Sequence, residues 1–330
     1  MCAGAPYIYV STHDKPHNIM KYSRDGCLLS DGVLQQKHPV VKGIGRVKES
    51  RTMMYGTYRN KKALFVTSSV THQSGVLVYS GTCDSFGRRK FIDVAISIKE
   101  NPGLQHPYGI SFDNYGNLYV TCQHTDVVMR YTKDDFRPYP SLPYSSPNAS
   151  AVIEANAAGE NIWKGTFLDF NIFNRMQNVH HVHKRQDVAN VITTEGVRGV
   201  VYVGAHMWVA HEELNGVCVV NIQTGEVMQV ISIGRPIGLH YDAAYGVVFV
   251  GARGLERQSG AVYAIHAGTF TIAQTYRNKD AWHPTGIVSY RDMLYVADQT
   301  CNCINTFDIT SLPIASTPVA TLFKWWPANL

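Results

Sequence analysis

An all-β ring of six four-stranded blades is the fold this sequence predicts, and three observations carry it. Apolar runs are short and rich in valine and tyrosine, a strand–turn–strand pattern recurs along the chain, and charged residues are few for its length. Among 330 residues, 45% are hydrophobic and 17% charged, with 19 tyrosines and 27 glycines. That mix supplies a large core and little material for solvated helices, and β-branched and aromatic side chains suit pleated, half-buried surfaces.

The repeat is clearest in three segments. His106-Pro107-Tyr108-Gly109-Ile110-Ser111-Phe112-Asp113, then Tyr115–Val120, then Val127–Tyr131 read as a short strand, a turn, an apolar strand, a loop and a third strand. Arg235-Pro236-Ile237-Gly238-Leu239 opens a second copy, continued by Gly246–Val250 and Gly260–Ile265. His283-Pro284-Thr285-Gly286-Ile287 opens a third, continued by Met293–Asp298 and Cys303–Asp308. Arg235 and His283 lie 48 residues apart, the size of a propeller blade.

Weaker copies fill the rest: Lys62–Val66 with Gly75–Tyr79, and Val200–Val203 with Val217–Val220. Tyr7–Val10 and Asn18–Tyr22 read as a second and third strand without a first. Trp326–Leu330 matches a repeat opening, with Asn329 where the others have glycine. The expectation is one domain over residues 1–330, a six-bladed β-propeller whose ring closes by pairing of the N- and C-terminal strands and so leaves no open edge.

These repeats resemble those of the NHL propellers: proline-x-glycine, an aspartate turn, an aromatic second strand and a basic third strand, best matched at His106–Tyr131. The resemblance implies the fold over nearly the whole chain and says little of function. It points toward stand-alone propeller enzymes such as strictosidine-synthase-like condensing enzymes, lyases and cyclases of natural-product pathways. Amidating lyases of this fold carry histidines just before the inner-strand glycine; here Tyr108, Ile237 and Thr285 stand there, so that assignment fails.

Several classes are excluded or disfavoured by composition. No apolar run approaches the roughly 18 residues of a membrane helix. The net charge of +5 is scattered, which gives no nucleic-acid stripe, so neither membrane nor nucleic acid is an expected partner. The expected partner is a small-molecule substrate, and the chain is expected to be a soluble monomer, cytoplasmic or secreted with its signal replaced. Seven cysteines lack zinc-finger spacing, and Cys301 and Cys303 stand too close for a relaxed disulfide. Free, mostly buried thiols are expected.

Strand direction gathers the candidate site. If consecutive strands alternate, the loops entering inner strands and the loops joining second to third strands share one face. The first set supplies His106, Tyr108, Arg235, Trp282, His283, Thr285 and Trp326; the second supplies His13, His17, His72, Gln123, His124, His206, Trp208, His211, Arg253 and Gln299. Most of the 14 histidines fall on this face. A long insertion, 138–187, is long enough to serve as a lid over it. Within it, Trp163, Phe167, Phe170 and Phe173 hint at a short helix whose stripe packs in the core, and the insertion must also hold an outer strand.

Three chemistries suit such a face. A metal-free lyase or cyclase acting on an apolar or aromatic metabolite is preferred, with no cofactor. Its catalytic candidates are His106, His206, His283, Arg235 and Tyr108: imidazoles titrating near neutrality as acid or base, an arginine as oxyanion holder. Its substrate-binding candidates are Trp208, Trp282, His13, Gln123, Arg253, Gln299 and Thr285, with Met54 and Ile237 also at the mouth. A metal-dependent lactonase or hydrolase is second; His181 and His183 have the alternate spacing that points two imidazoles to one side of a strand, while a calcium site is disfavoured by the few acids, chiefly Asp14, Glu212, Glu213, Glu256 and Asp298. A non-catalytic protein-binding scaffold is third, its mark being tryptophans exposed on a flat face.

Overall fold

The computed structural model describes residues 2–4, 7–139, 163–170, 196–256, 259–278, 282–310, 312 and 320–324, the first and last of these segments as backbone. They form six antiparallel four-stranded sheets, each built from strands consecutive in sequence. The first blade runs Cys2–Gly4, Tyr7–Ser11, Ile19–Ser23, Leu28–Ser30, and the second Met53–Tyr58, Lys61–Ser68, Gly75–Ser80, Phe91–Ser97. The third is Pro107–Phe112, Leu118–Cys122, Val127–Tyr131, Thr166–Asp169, and the fourth Val197–Val203, His206–His211, Gly216–Asn221, Val227–Ser232. Pro236–Asp242, Val247–Ala252, Ala261–His266 and Ile272–Tyr276 make the fifth; Pro284–Tyr290, Met293–Asp298, Cys303–Asp308 and Ala320–Lys324 make the sixth. The protein is a six-bladed β-propeller. No helix among the described residues is long and apolar enough to cross a membrane.

The apolar residues do not form one core. They fall into six, each shared by two neighbouring blades. The second strand of a blade therefore has two buried faces: in the fifth blade Val247 and Phe249 point to the sixth blade while Val248 and Val250 point to the fourth. This is why second strands read as unbroken apolar runs instead of alternating ones. The sixth core joins Ile8, Val10 and Tyr22 of the first blade to Val288, Tyr295 and Ile304 of the last and so closes the ring.

First strands pack against one another around the axis, and glycine permits it. A Cβ on Gly199 would stand 2.6 Å from the Ile237 carbonyl, and one on Gly109 would stand 2.9 Å from the Val200 nitrogen; on Gly238 it would collide with the Thr285 carbonyl. The glycines at 109, 199 and 238 are thus set by backbone approaching backbone between blades.

Three expectations are corrected here. The inner partner of Tyr7–Ser11 is Cys2–Gly4, so the first blade is complete from its own segment; residues 326–330, expected in that place, lie outside the described residues. The insertion does hold the third blade's outer strand, but it is Thr166–Asp169, where a helical turn was expected. Phe167 and Phe170 are core residues, as the stripe implied, because that strand lies against the fourth blade; Phe173 and the rest of the insertion lie outside the described residues. Cys301 and Cys303 are joined in a disulfide across the tip of a hairpin, while Cys122 and Cys218 are buried thiols.

Replacing Gly199 by alanine should lower unfolding stability by about 1–3 kcal/mol, since overpacked backbone cannot yield as a side chain does. Gly268, where an added methyl group would meet nothing within 4 Å, is the control: alanine there should change stability by less than about 0.5 kcal/mol. Equal denaturant midpoints for the two variants would contradict the tight inner ring.

Candidate functional site: an arginine-rich channel mouth

The same backbone stitch recurs at the end of the ring where inner strands begin. The residue after the second strand donates its N–H to the carbonyl of the residue just before the inner strand. Gln123 donates to His106 at 3.1 Å, Glu212 to Gly196 at 2.7 Å, Arg253 to Arg235 at 3.0 Å and Gln299 to His283 at 3.0 Å. His106, Arg235 and His283 are therefore equivalent positions in three blades, and Gln123, Glu212, Arg253 and Gln299 in four. His106 and Arg235 also share a left-handed backbone, with φ of 51° and 53°. The repeat converts residues far apart in sequence into one rim.

At the centre of this rim is Glu212, buried and held by Arg198, whose Nε and Nη2 donate to Oε2 at 2.8 and 2.6 Å. Arg235 Nε and Arg253 Nη1 approach Oε1 at 3.9 and 3.8 Å, so three guanidiniums face one carboxylate. Glu213 lies 3.9 Å from Arg235 and offsets part of the remainder. Beside them, burial first and Arg253 next lower the His283 pKa to about 4, against a raising effect of Glu212.

The other side of the mouth is built on Arg51, His106 and Tyr108. Arg51 Nη2 donates to His106 Nε2 at 3.3 Å, which requires the proton of a neutral His106 to sit on Nδ1. The His106 ring stacks on His124 with centroids 4.4 Å apart. Burial, then Arg51 and His124, lower the His106 pKa to about 3. Arg51 and Arg198 stand 5.4 and 5.5 Å from the centre of the Tyr108 ring, so that ring is shared between two cations.

The structure brings His106, Tyr108, His283, Arg235 and Arg253 together, and adds His13, which pairs with Asp14 at 3.0 Å and Glu49 at 3.8 Å. Gln123 and Gln299 are rim residues by the shared stitch, Gln299 exposed. Thr285 donates its hydroxyl to the Ala297 carbonyl of its own blade.

His206 is not at the mouth. It pairs with Val203 across the turn from first to second strand, at the far end of the ring, with its ring edge-on to Phe270 at 6.1 Å. His206–His211, expected as loop, is itself the second strand, because its interior is apolar on both faces. Trp208 accordingly lies wholly buried between fourth and fifth blades, and Trp282 packs on Phe307 between fifth and sixth. Ile237 is core as well. His211 does reach the mouth end but turns inward: its Nε2 donates to Asp126 at 3.1 Å and its Nδ1 accepts from the Leu214 N–H, tying third blade to fourth. The mouth is thus cationic, where an aromatic lining was expected. Nor do His106 and His283 titrate near neutrality, because burial and the surrounding guanidiniums hold them uncharged. His181, His183 and Trp326 lie outside the described residues.

Arg51 and Arg198 were missed. Arg198 was legible, since Arg198-Gly199 occupies the x-Gly place of Tyr108-Gly109, Ile237-Gly238 and Thr285-Gly286. Arg51 had no such signal, because the second blade lacks the proline-x-glycine opening. Among the described residues one group could hold a metal, Asp298 with Cys301 and Cys303, and there the two sulfurs are bonded to each other.

No known protein family and no curated protein sequence matches the chain. Solved structures do resemble it. A nidogen/laminin complex aligns with a TM-score of 0.52 at 11% identity, over 95% of this chain and 93% of that one. Streptogramin B lyase aligns at 0.49 and 12% identity, over 98% and 83%; the computationally designed Ika8 protein aligns at 0.45 and 8%, over 94% and 71%. At these identities the likeness is one of fold: the class is a six-bladed β-propeller, here with a charged channel mouth.

His106 and His283 should show no NMR titration between about pH 5.5 and 8. Their folded pKa values lie below the unfolded value of about 6.5, so the unfolded chain takes up protons first as pH falls. Their contribution to stability is fully present above pH 6.5 or so, and is lost as pH drops toward about 4 for His283 and about 3 for His106. Imidazole shifts that move with a midpoint near 6.5 would contradict this arrangement.

Proposed function

We propose that this propeller is a small-molecule enzyme of the stand-alone, NHL-like kind, a lyase or cyclase of natural-product type working at the channel mouth. The observation that carries the reading is the convergence of Arg198, Arg235 and Arg253 on a single buried carboxylate, Glu212, which leaves fixed positive charge at the rim. Eliminations and cyclisations beside a carbonyl develop negative charge on oxygen, and donors already fixed in place stabilise that charge without reorganising. Arg235 and Arg253, at longer range from Glu212 than Arg198, are the groups free to take up that role.

His283 supplies the proton-transfer group. It is uncharged in the resting protein, its ring makes no hydrogen bond to a described residue, and Glu212 is the carboxylate that would stabilise its protonated form. A base of low pKa suits a substrate whose proton is acidified by the neighbouring arginines. The scaffold reading loses its main support, because Trp208 and Trp282, the expected docking surface, are buried.

The test is turnover. A panel of small unsaturated acids, lactones and phenols, followed by mass spectrometry, should yield an isomer or a product of neutral loss. Arg253→Met should slow that reaction by about 10²-fold or more, as loss of one oxyanion donor does. His206→Ala, at the far end of the ring, should leave the rate unchanged. A reaction insensitive to Arg253 and Arg235, or sensitive to His206, would contradict the assignment.

A further inference from the structure

The two halves of the mouth are not electrically alike. Around Glu212 three guanidiniums share a buried carboxylate. Arg51, on the other half, has no carboxylate within ion-pair distance among the described residues. Among the described residues its side chain hydrogen-bonds to His106 alone, and its buried Nε–H has no acceptor. Its neighbours are neutral or positive: His106, the stacked His124, the Tyr108 ring and, beyond that ring, Arg198. The nearest acids, Glu49 and Asp14, flank His13, and Asp14 is 95% exposed. A half-buried guanidinium with no ion-paired acid among the described residues, Glu49 and Asp14 acting on it only from a distance, is costly to keep, and burial lowers its affinity for its proton.

We propose that Arg51 is the seat of a carboxylate borne by the ligand, so that the molecule this propeller takes is a small organic acid. The proposal rests on the small-molecule reading above and narrows its substrate class. The planar guanidinium of arginine fits a carboxylate edge, and Tyr108 with Arg198 bounds the far side. His106 is a positioning residue: its unprotonated Nε2 accepts from Arg51 Nη2 and fixes the plane of the fork. The acid group of the ligand would then be anchored at Arg51 while its reacting end lies toward Arg235, Arg253 and His283.

The experiment uses the full chain and unreactive probes. Benzoate, benzyl alcohol and inorganic phosphate are titrated into wild type, Arg51→Met and Arg51→Lys, with folding checked by circular dichroism. Benzoate should saturate one site and benzyl alcohol should bind at least about tenfold more weakly. Arg51→Met should weaken benzoate by about tenfold or more, and Arg51→Lys, which keeps charge but loses the fork, should fall between. If Arg51→Met fails to fold, the ¹⁵N resonance of Arg51 Nε in wild type reports instead, and should shift on adding benzoate but not benzyl alcohol. Equal affinity for benzoate and benzyl alcohol, an unchanged affinity in Arg51→Met, an unmoved Nε resonance, or phosphate binding more tightly than benzoate would each overturn the proposal. The two readings fail separately: benzoate binding without turnover of any compound sinks the enzyme, whereas turnover of an uncharged substrate unaffected by Arg51→Met sinks only the carboxylate seat.

Discussion

The molecule depends on how closely its inner strands approach each other. At Gly109, Gly199 and Gly238 the backbone of one blade lies against the backbone of the next, with no room for a Cβ between them. That approach sets the bore of the ring and the angle at which each inner strand leaves it. The residues that enter those strands are then delivered to one rim, and their side chains have nowhere to go but the axis or each other. The charged mouth is a by-product of this spacing: Arg198 and Tyr108 each precede a glycine that the packing demands.

Charge then does what distance allows. Glu212, even with Glu213 beside Arg235, cannot neutralise the guanidiniums gathered about it. The histidines respond by staying uncharged, so the positive field is held by arginines alone, which do not lose their protons. An imidazole-rich sequence has in this way produced an arginine-governed site, with His106 and His283 as neutral partners.

The ring was legible because the repeat is physical. Proline-x-glycine, an aspartate turn and a two-faced apolar strand each have a packing reason, and they recur where that reason recurs. Legibility ended where a segment served two masters. His206–His211 has polar ends and an apolar middle, which reads as a loop decorated with aromatics; only the pairing of Val203 with His206 fixes it as a strand and sends its two histidines to opposite ends of the ring. The tryptophans misled for a related reason: Trp208 and Trp282 sit near histidines in sequence, but Trp208 is on a two-faced strand with a blade on either side, and Trp282, just ahead of an inner strand, packs into the core between fifth and sixth blades. Arg51 lies in the most degenerate repeat, before Met53-Met54-Tyr55, and only the fold reveals that it meets His106.

The joint between first and last blades has a consequence for how such rings change. Among the described residues no strand is sewn across it; Ile8, Val10 and Tyr22 meet Val288, Tyr295 and Ile304 through apolar contact, with the Arg24 guanidinium 5.2 Å from the centre of the Tyr290 ring beside them. Every blade is also a self-contained stretch of chain. A lineage that gains or drops one whole unit of sequence therefore leaves the hydrogen-bonded ladders inside the remaining blades untouched, and has to rematch only the packed contacts between blades.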